Sequence, residues 1–176
     1  MKKNNLLWID LEMTGLDPEK ERIIEAAAIV TDWDFKEIAS LDLIVKQSDD
    51  LLSKMDNWNK SQHKASGLLD KIAQGTSESE AEKQLLGLIE KHCQEPIILA
   101  GNSVHHDRRF IRRAWPKLDA KLHYRMLDVS AWKVVMMNKF DQEFKKREAH
   151  RALDDIRGSI EELIGYVDWF RTKFHD

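Results

Sequence analysis

Apolar and polar positions follow one another along the chain in blocks that predict a mixed α/β domain. Leu6, Leu7, Trp8 and Ile9 form an apolar run leading into Asp10, and the turn formers Thr14, Gly15, Leu16, Asp17 and Pro18 follow, so a buried strand and then a loop are predicted. Two more strands are predicted over 23–30, rich in Ile, Ala and Val, and over 38–45, which alternates in part. From Ser77 the period changes. Ala81, Leu85, Leu88, Ile89 and His92 recur at helical spacing behind Ser77 and Glu80, which fit a capping box. Ile97, Ile98, Leu99 and Ala100 read as a strand opening onto Gly101 and Asn102, followed by a basic helix from about 104 to 115 that stops before Pro116. Residues 124–129 predict a strand or turn. Ala152, Ile156, Ile160, Leu163, Val167, Phe170 and Phe174 then fall at steps of three and four, which predicts a long final helix with one apolar stripe. The order β-β-β-α-β-α-β-α implies a mixed central sheet flanked by helices, with no repeat, low-complexity stretch or linker.

Composition bounds this picture. The 176 residues, 42% of them hydrophobic, suit a single domain spanning 1–176 with a sizeable core. The charged fraction of 34% points to well-solvated helix surfaces. A net charge of -3 argues against a protein that coats polyanions, so any nucleic-acid contact is local. The basic groups Arg108, Arg109, Arg112 and Arg113, and Lys145, Lys146 and Arg147, read one at a time as solvated faces. Cys93 is the single cysteine, which leaves no internal disulfide, and the first residues lack a secretory apolar stretch, so the expected compartment is the cytoplasm. No run approaches the roughly 18 apolar residues that span a bilayer.

Candidate chemistry lies where carboxylates interrupt apolar segments. Asp10 and Glu12 are two apart on a predicted strand, so both side chains project from one face while Ile9 and Leu11 face the other. Two anions held together on a central strand repel unless a cation lies between them, and a divalent metal resolves the conflict. Asp107 follows the 97–100 strand near the start of the next helix, and Asp155, beside Asp154, lies near the start of the last one. Acids there complement the helix macrodipole without further purpose. His150 precedes Asp155 by five residues, in the loop or first turn. Singly, each of these is ordinary.

Together they are not. Asp10-Leu11-Glu12, then Asp107, then His150-Arg151-Ala152-Leu153-Asp154-Asp155 resemble the three motifs of the DEDDh exonucleases in order and separation. Within that superfamily the chain resembles an oligoribonuclease over nearly its full length, through WIDLEMTGLDP from Trp8, RIIEAA from Arg22, GNS and DRRF around Asp107, HYR and LDVS around Tyr124, and HRALDDIR from His150. One departure is His105-His106, where the family more often has small or amide residues; both are expected to face solvent.

The resemblance implies a ribonuclease H-like α/β exonuclease fold and removal of nucleoside 5′-monophosphates from the 3′ end of short RNAs of two to five nucleotides, dinucleotides above all. It implies that Asp10, Glu12, Asp107 and Asp155 ligate two divalent cations, Mg²⁺ or Mn²⁺, which prefer hard oxygen donors, whereas tetrahedral zinc fits poorly. His150 becomes the general base, a role suited to histidine's ordinary pKa of about 6.5. Leu16 and Trp58 become an apolar wall for bases, with His63 nearby, and Tyr124 a contact reaching in from the partner of a homodimer. Ser103, Arg125 and Ser130 match a group that caps a 5′ phosphate. Two alternatives stay open: another DEDDh exonuclease acting on longer RNA or DNA ends, and a nucleic-acid-binding domain without catalysis.

Overall fold

The computed structural model describes residues 4–144 and 151–174. Five strands form one sheet: β1 (Leu6–Met13), β2 (Ile23–Thr31), β3 (Glu37–Ile44), β4 (Ile97–Gly101) and β5 (Leu122–Asp128). Their order is β3-β2-β1-β4-β5, with β1–β2 and β2–β3 antiparallel and β1–β4 and β4–β5 parallel. The mixed sheet expected from the sequence is therefore present.

β1 is central, and its alternation builds two cores. Leu7, Ile9 and Leu11 pack with Ala81, Leu85 and Ile89 of α4 (Glu78–His92) and Phe110 and Ile111 of α5 (His105–Ala114). Leu6 and Trp8 face the other way, joining Ala27 and Ile29 of β2 and Ile156, Ile160, Leu163 and Tyr166 of α8 (Ala152–Phe174). Helices thus cover both faces, as an apolar parallel centre requires. The apolar stripe of α8 is buried through Tyr166 but fades towards the C-terminal end, where Phe174 is exposed. At the start of α4 the Ser77 hydroxyl accepts a hydrogen bond from the Glu80 N–H, one half of the expected capping box. The basic helix α5 ends before Pro116 as expected, and Pro116 itself opens the short α6 (Pro116–Asp119), where its missing N–H costs nothing.

Five helices were not predicted. Between β3 and α4 lie α1 (Asp49–Lys54), α2 (Asn57–Ala65) and α3 (Leu69–Ile72). α1 buries no residue and α2 buries only His63, so neither carries an apolar stripe; the side chains of Ser48 and Asp56 cap them instead. The fourth is α6. The fifth, α7 (Val129–Phe140), follows β5 directly and exposes apolar side chains along with those it buries, which blurs its period. The described residues contain no helix long and apolar enough to cross a membrane.

Candidate active site

Asp10 and Glu12 continue the Leu6–Trp8 side of β1, so the layer packed against α8 changes from apolar to acidic as the strand leaves the core. Asp155 lies in the first turn of α8, which crosses that side. Oxygens of Asp10, Glu12 and Asp155 lie within 4.8 Å of one another. Asp107 enters from α5, 6% exposed, with its Oδ1 accepting the Leu11 N–H at 3.0 Å. Gly101, at the end of β4, passes close to β1 on the way to this helix, and a Cβ there would come within 2.8 Å of the Ile9 carbonyl oxygen.

Carboxylates crowd one another at the cluster. Burial first, then Glu25, Asp155 and Asp107, push the Glu12 carboxyl up to about 7. Burial and the neighbouring Asp10 hold Asp107 well above the usual carboxylate range. Hard oxygen donors forced together in this way fit a divalent cation. His63 is buried beside them, its Nε2 2.9 Å from the Met13 carbonyl oxygen and its Nδ1 3.9 Å from Glu12 Oε2. Burial lowers its pKa, so the ring is read as neutral, with Nε2–H donating to Met13.

The acid cluster opens onto a cleft of about 140 Å³ lined by Glu12, His63 and Asp155 together with Trp58, Asn59, Gln62 and Ser66 of the α2 region. Trp58 is 69% exposed and Leu16 75%, so core packing accounts for neither. Leu16 does not line this cleft, nor do Tyr124 and Arg125. These last two sit on the edge strand β5, with Tyr124 71% exposed and the Arg125 guanidinium 5.0 Å from the centre of its ring. His150 lies outside the described residues.

Ser103 and Ser130 do come together, the Ser103 hydroxyl donating to Ser130 Oγ at 3.2 Å. What joins them is Asp128, which the sequence reading passed over. Its Oδ1 accepts from the Ser103 N–H at 2.9 Å, the Ser130 N–H at 3.0 Å and the Ser130 hydroxyl at 2.6 Å. The first of these bonds offsets the cost of the left-handed φ of 52° at Ser103. A clue was available, because an Asp one residue ahead of an apolar helical run is a capping signal. His105 is exposed as expected, but its Nδ1 lies 3.6 Å from Asp128 Oδ2. Three arginines of α5 are engaged in ion pairs, Arg108 and Arg112 with Asp119 and Arg113 with Glu19, which supports the reading of that face as solvated rather than phosphate-binding.

The raised carboxyl of Glu12 has a measurable consequence. The folded state binds its proton more tightly than the unfolded chain does, so the group's contribution to stability falls as pH rises from about 4.5 to about 7. In EDTA, Glu12→Gln is expected to melt several degrees above the native protein at pH 8, with the difference closing near pH 4.5. Melting curves of the two proteins across that range test it; a native protein more stable than the variant at pH 8 would contradict it.

Comparison with known proteins agrees with this geometry. The family model described as Exonuclease matches residues 7–163. The oligoribonuclease of Marinobacter nauticus is 48% identical over 179 residues, covering 95% of this chain and 96% of its own. That of Dichelobacter nodosus is 46% identical over 171 residues, covering 94% of each. Among solved structures, exonuclease I from Methylocaldum szegediense superposes with a TM-score of 0.73 at 17% identity, over 97% of this chain and 41% of that one. Exonuclease I of E. coli in complex with a dA16 oligonucleotide gives 0.70 at 16%, over 96% and 43%. This chain thus spans less than half of those longer enzymes, and the likeness establishes the ribonuclease H-like fold. The near-half identity over almost the whole of both sequences goes further: the chain belongs to the oligoribonuclease family of exonucleases.

Proposed function

We propose that the protein is a 3′-to-5′ exoribonuclease that degrades RNAs of two to five nucleotides, with dinucleotides preferred, to nucleoside 5′-monophosphates. The observation that carries this reading is the cleft in which Glu12 and Asp155 share a wall with an exposed Trp58. It joins a site for hydrolysis to a platform for a base. Asp10, Glu12, Asp107 and Asp155 would hold two divalent cations, Mg²⁺ or Mn²⁺. Such ions, when bound, stabilise charge on the attacking and leaving oxygens of a phosphodiester. His150 takes the proton of the attacking water. Trp58 and Leu16 pack against bases, a contact worth about 1–3 kcal/mol per base and indifferent to sequence. His63, neutral and tied to Met13, shapes the wall between them. Ser103, Arg125 and Ser130 hold the 5′ phosphate, with Asp128 fixing the two serines.

The protein is further proposed to act as a cytoplasmic homodimer in which Tyr124 completes the partner's site. Two features support this: Tyr124 projects from the unpaired edge of the sheet, and the adjoining α7 exposes Val134, Val135 and Met137.

Substrate length is the decisive measurement. With Mg²⁺ or Mn²⁺, and EDTA as control, 5′-phosphorylated RNAs of two to seven nucleotides are expected to be cut fastest at two. Arg125→Ala is expected to weaken binding of the phosphorylated dinucleotide by roughly 1.5–3 kcal/mol and of an unphosphorylated one much less. Equal rates across that range would favour a general exonuclease of the same superfamily, acting on longer ends.

A further inference from the structure

Glu25 is 1% exposed in β2, on the side that faces α8 and directly opposite Glu12. It adds to the repulsion within the acid cluster and is the leading charge acting on Glu12. An apolar residue would avoid that cost, so the position requires an explanation in what Glu25 holds. Its counter-charge is Arg151. The Arg151 Nη2 lies 3.3 Å from Glu25 Oε1 as an ion pair without a hydrogen bond, and donates to Asp42 Oδ2 on β3 at 3.4 Å. Asp42 pairs with Ala27, two residues from Glu25 along β2, so both carboxylates rise from the same side of the sheet.

Arg151 is also where α8 begins. Its carbonyl oxygen accepts the Asp155 N–H at 2.9 Å, the first helical bond of the turn that carries the Asp155 carboxylate. In sequence it directly follows His150. One side chain therefore ties the start of a helix to two neighbouring strands, beside the row from which Asp10 and Glu12 project.

We propose that Arg151 is a positioning residue: by pinning the first turn of α8 to β2 and β3 through Glu25 and Asp42, it sets where the Asp155 carboxylate stands against Asp10 and Glu12. Its consequence for turnover rests on the metal-dependent nuclease reading above, whereas its consequence for cation binding does not. A displacement of about 1 Å at a reacting centre lowers rate by about a hundredfold. A rigid anchor at this point therefore has a function beyond neutralising Glu25.

The test separates these two roles. Arg151→Ala alone would strand a buried carboxylate, so the informative variant is the double substitution Glu25→Gln with Arg151→Met, which removes both charges. Melting temperature, Mn²⁺ affinity by calorimetry, and kcat and KM on a diribonucleotide are measured for each protein. The double variant is expected to melt within a few degrees of the native protein, yet to bind Mn²⁺ more weakly and to lose about ten- to a hundredfold in kcat, with KM little changed. Arg151→Lys, which keeps a cationic nitrogen, should recover much of both. Native Mn²⁺ affinity and kcat in the double variant would overturn the proposal, leaving Arg151 as a counter-charge only. Should the double variant not fold, Asp42→Asn, at an exposed position, removes one anchor alone. The proposal then requires weaker Mn²⁺ binding and lower kcat at an unchanged melting temperature, and fails without them. If the native protein binds Mn²⁺ but does not hydrolyse RNA, the nuclease reading fails while calorimetry still decides the role of Arg151.

Discussion

Asp155→Asn is expected to lower turnover by at least about 10³-fold while leaving the folded protein as stable as before, or more so in the absence of metal. The carboxylate lies in one cluster with Asp10 and Glu12 and raises the Glu12 pKa by repulsion. An amide of nearly the same shape removes a formal charge, so metal-free repulsion is relieved, whereas a hard anionic ligand is lost from the cation site. Stability and activity should therefore move in opposite directions, which a general folding defect cannot produce. The checks are thermal melting in EDTA and dinucleotide hydrolysis at saturating Mn²⁺. Near-native turnover in folded Asp155→Asn would remove Asp155 from the cation site and with it the proposed two-ion arrangement.

His150→Ala is expected to lower kcat by about 10²- to 10⁴-fold, the usual contribution of a positioned base, while cation affinity changes little. Two groups could give the acidic limb of the pH profile, because Glu12 in the metal-free protein also titrates near neutrality, at about 7. They separate by metal concentration. A bound cation favours the ionised carboxylate, so raising Mn²⁺ should shift a limb due to Glu12 to lower pH but leave one due to the base in place. In the native enzyme at saturating Mn²⁺, kcat/KM should still rise with pH through the histidine range, and His150→Ala should lose that limb. A variant that keeps both most of its kcat and the same limb would assign proton transfer to another group.

Much of the fold was legible because its large elements carry a local apolar signature. β1 and β2 are buried on both faces and read as continuous apolar runs, whereas the buried side chains of α8 recur at steps of three and four. The helices of 49–72 were not legible for the converse reason. They are short and nearly without buried side chains, so capping and docking hold them instead of an apolar stripe. They nevertheless carry Trp58 and His63, so a functional wall was assigned through family resemblance before any element was predicted to bear it.

By itself the sequence determined that Asp10 and Glu12 share a face, since strand side chains alternate, and that this face leaves an apolar core. It also placed Asp107 and Asp155 in first helical turns, where an acid is favourable whatever its function. Tertiary structure decided what those acids meet. Docking of α8 brings Asp155 to within 4.8 Å of the two strand carboxylates, while Asp107 is drawn inward to the N–H of Leu11, beyond the last paired row of β1 and β4. Two pairings had no local signature at all, Glu25 opposite Glu12 and Arg151 between Glu25 and Asp42, and the capping signal at Asp128 did not show that it would also reach Ser103. Strand register and helix docking set those distances between residues far apart in the chain, and no period within either segment encodes them.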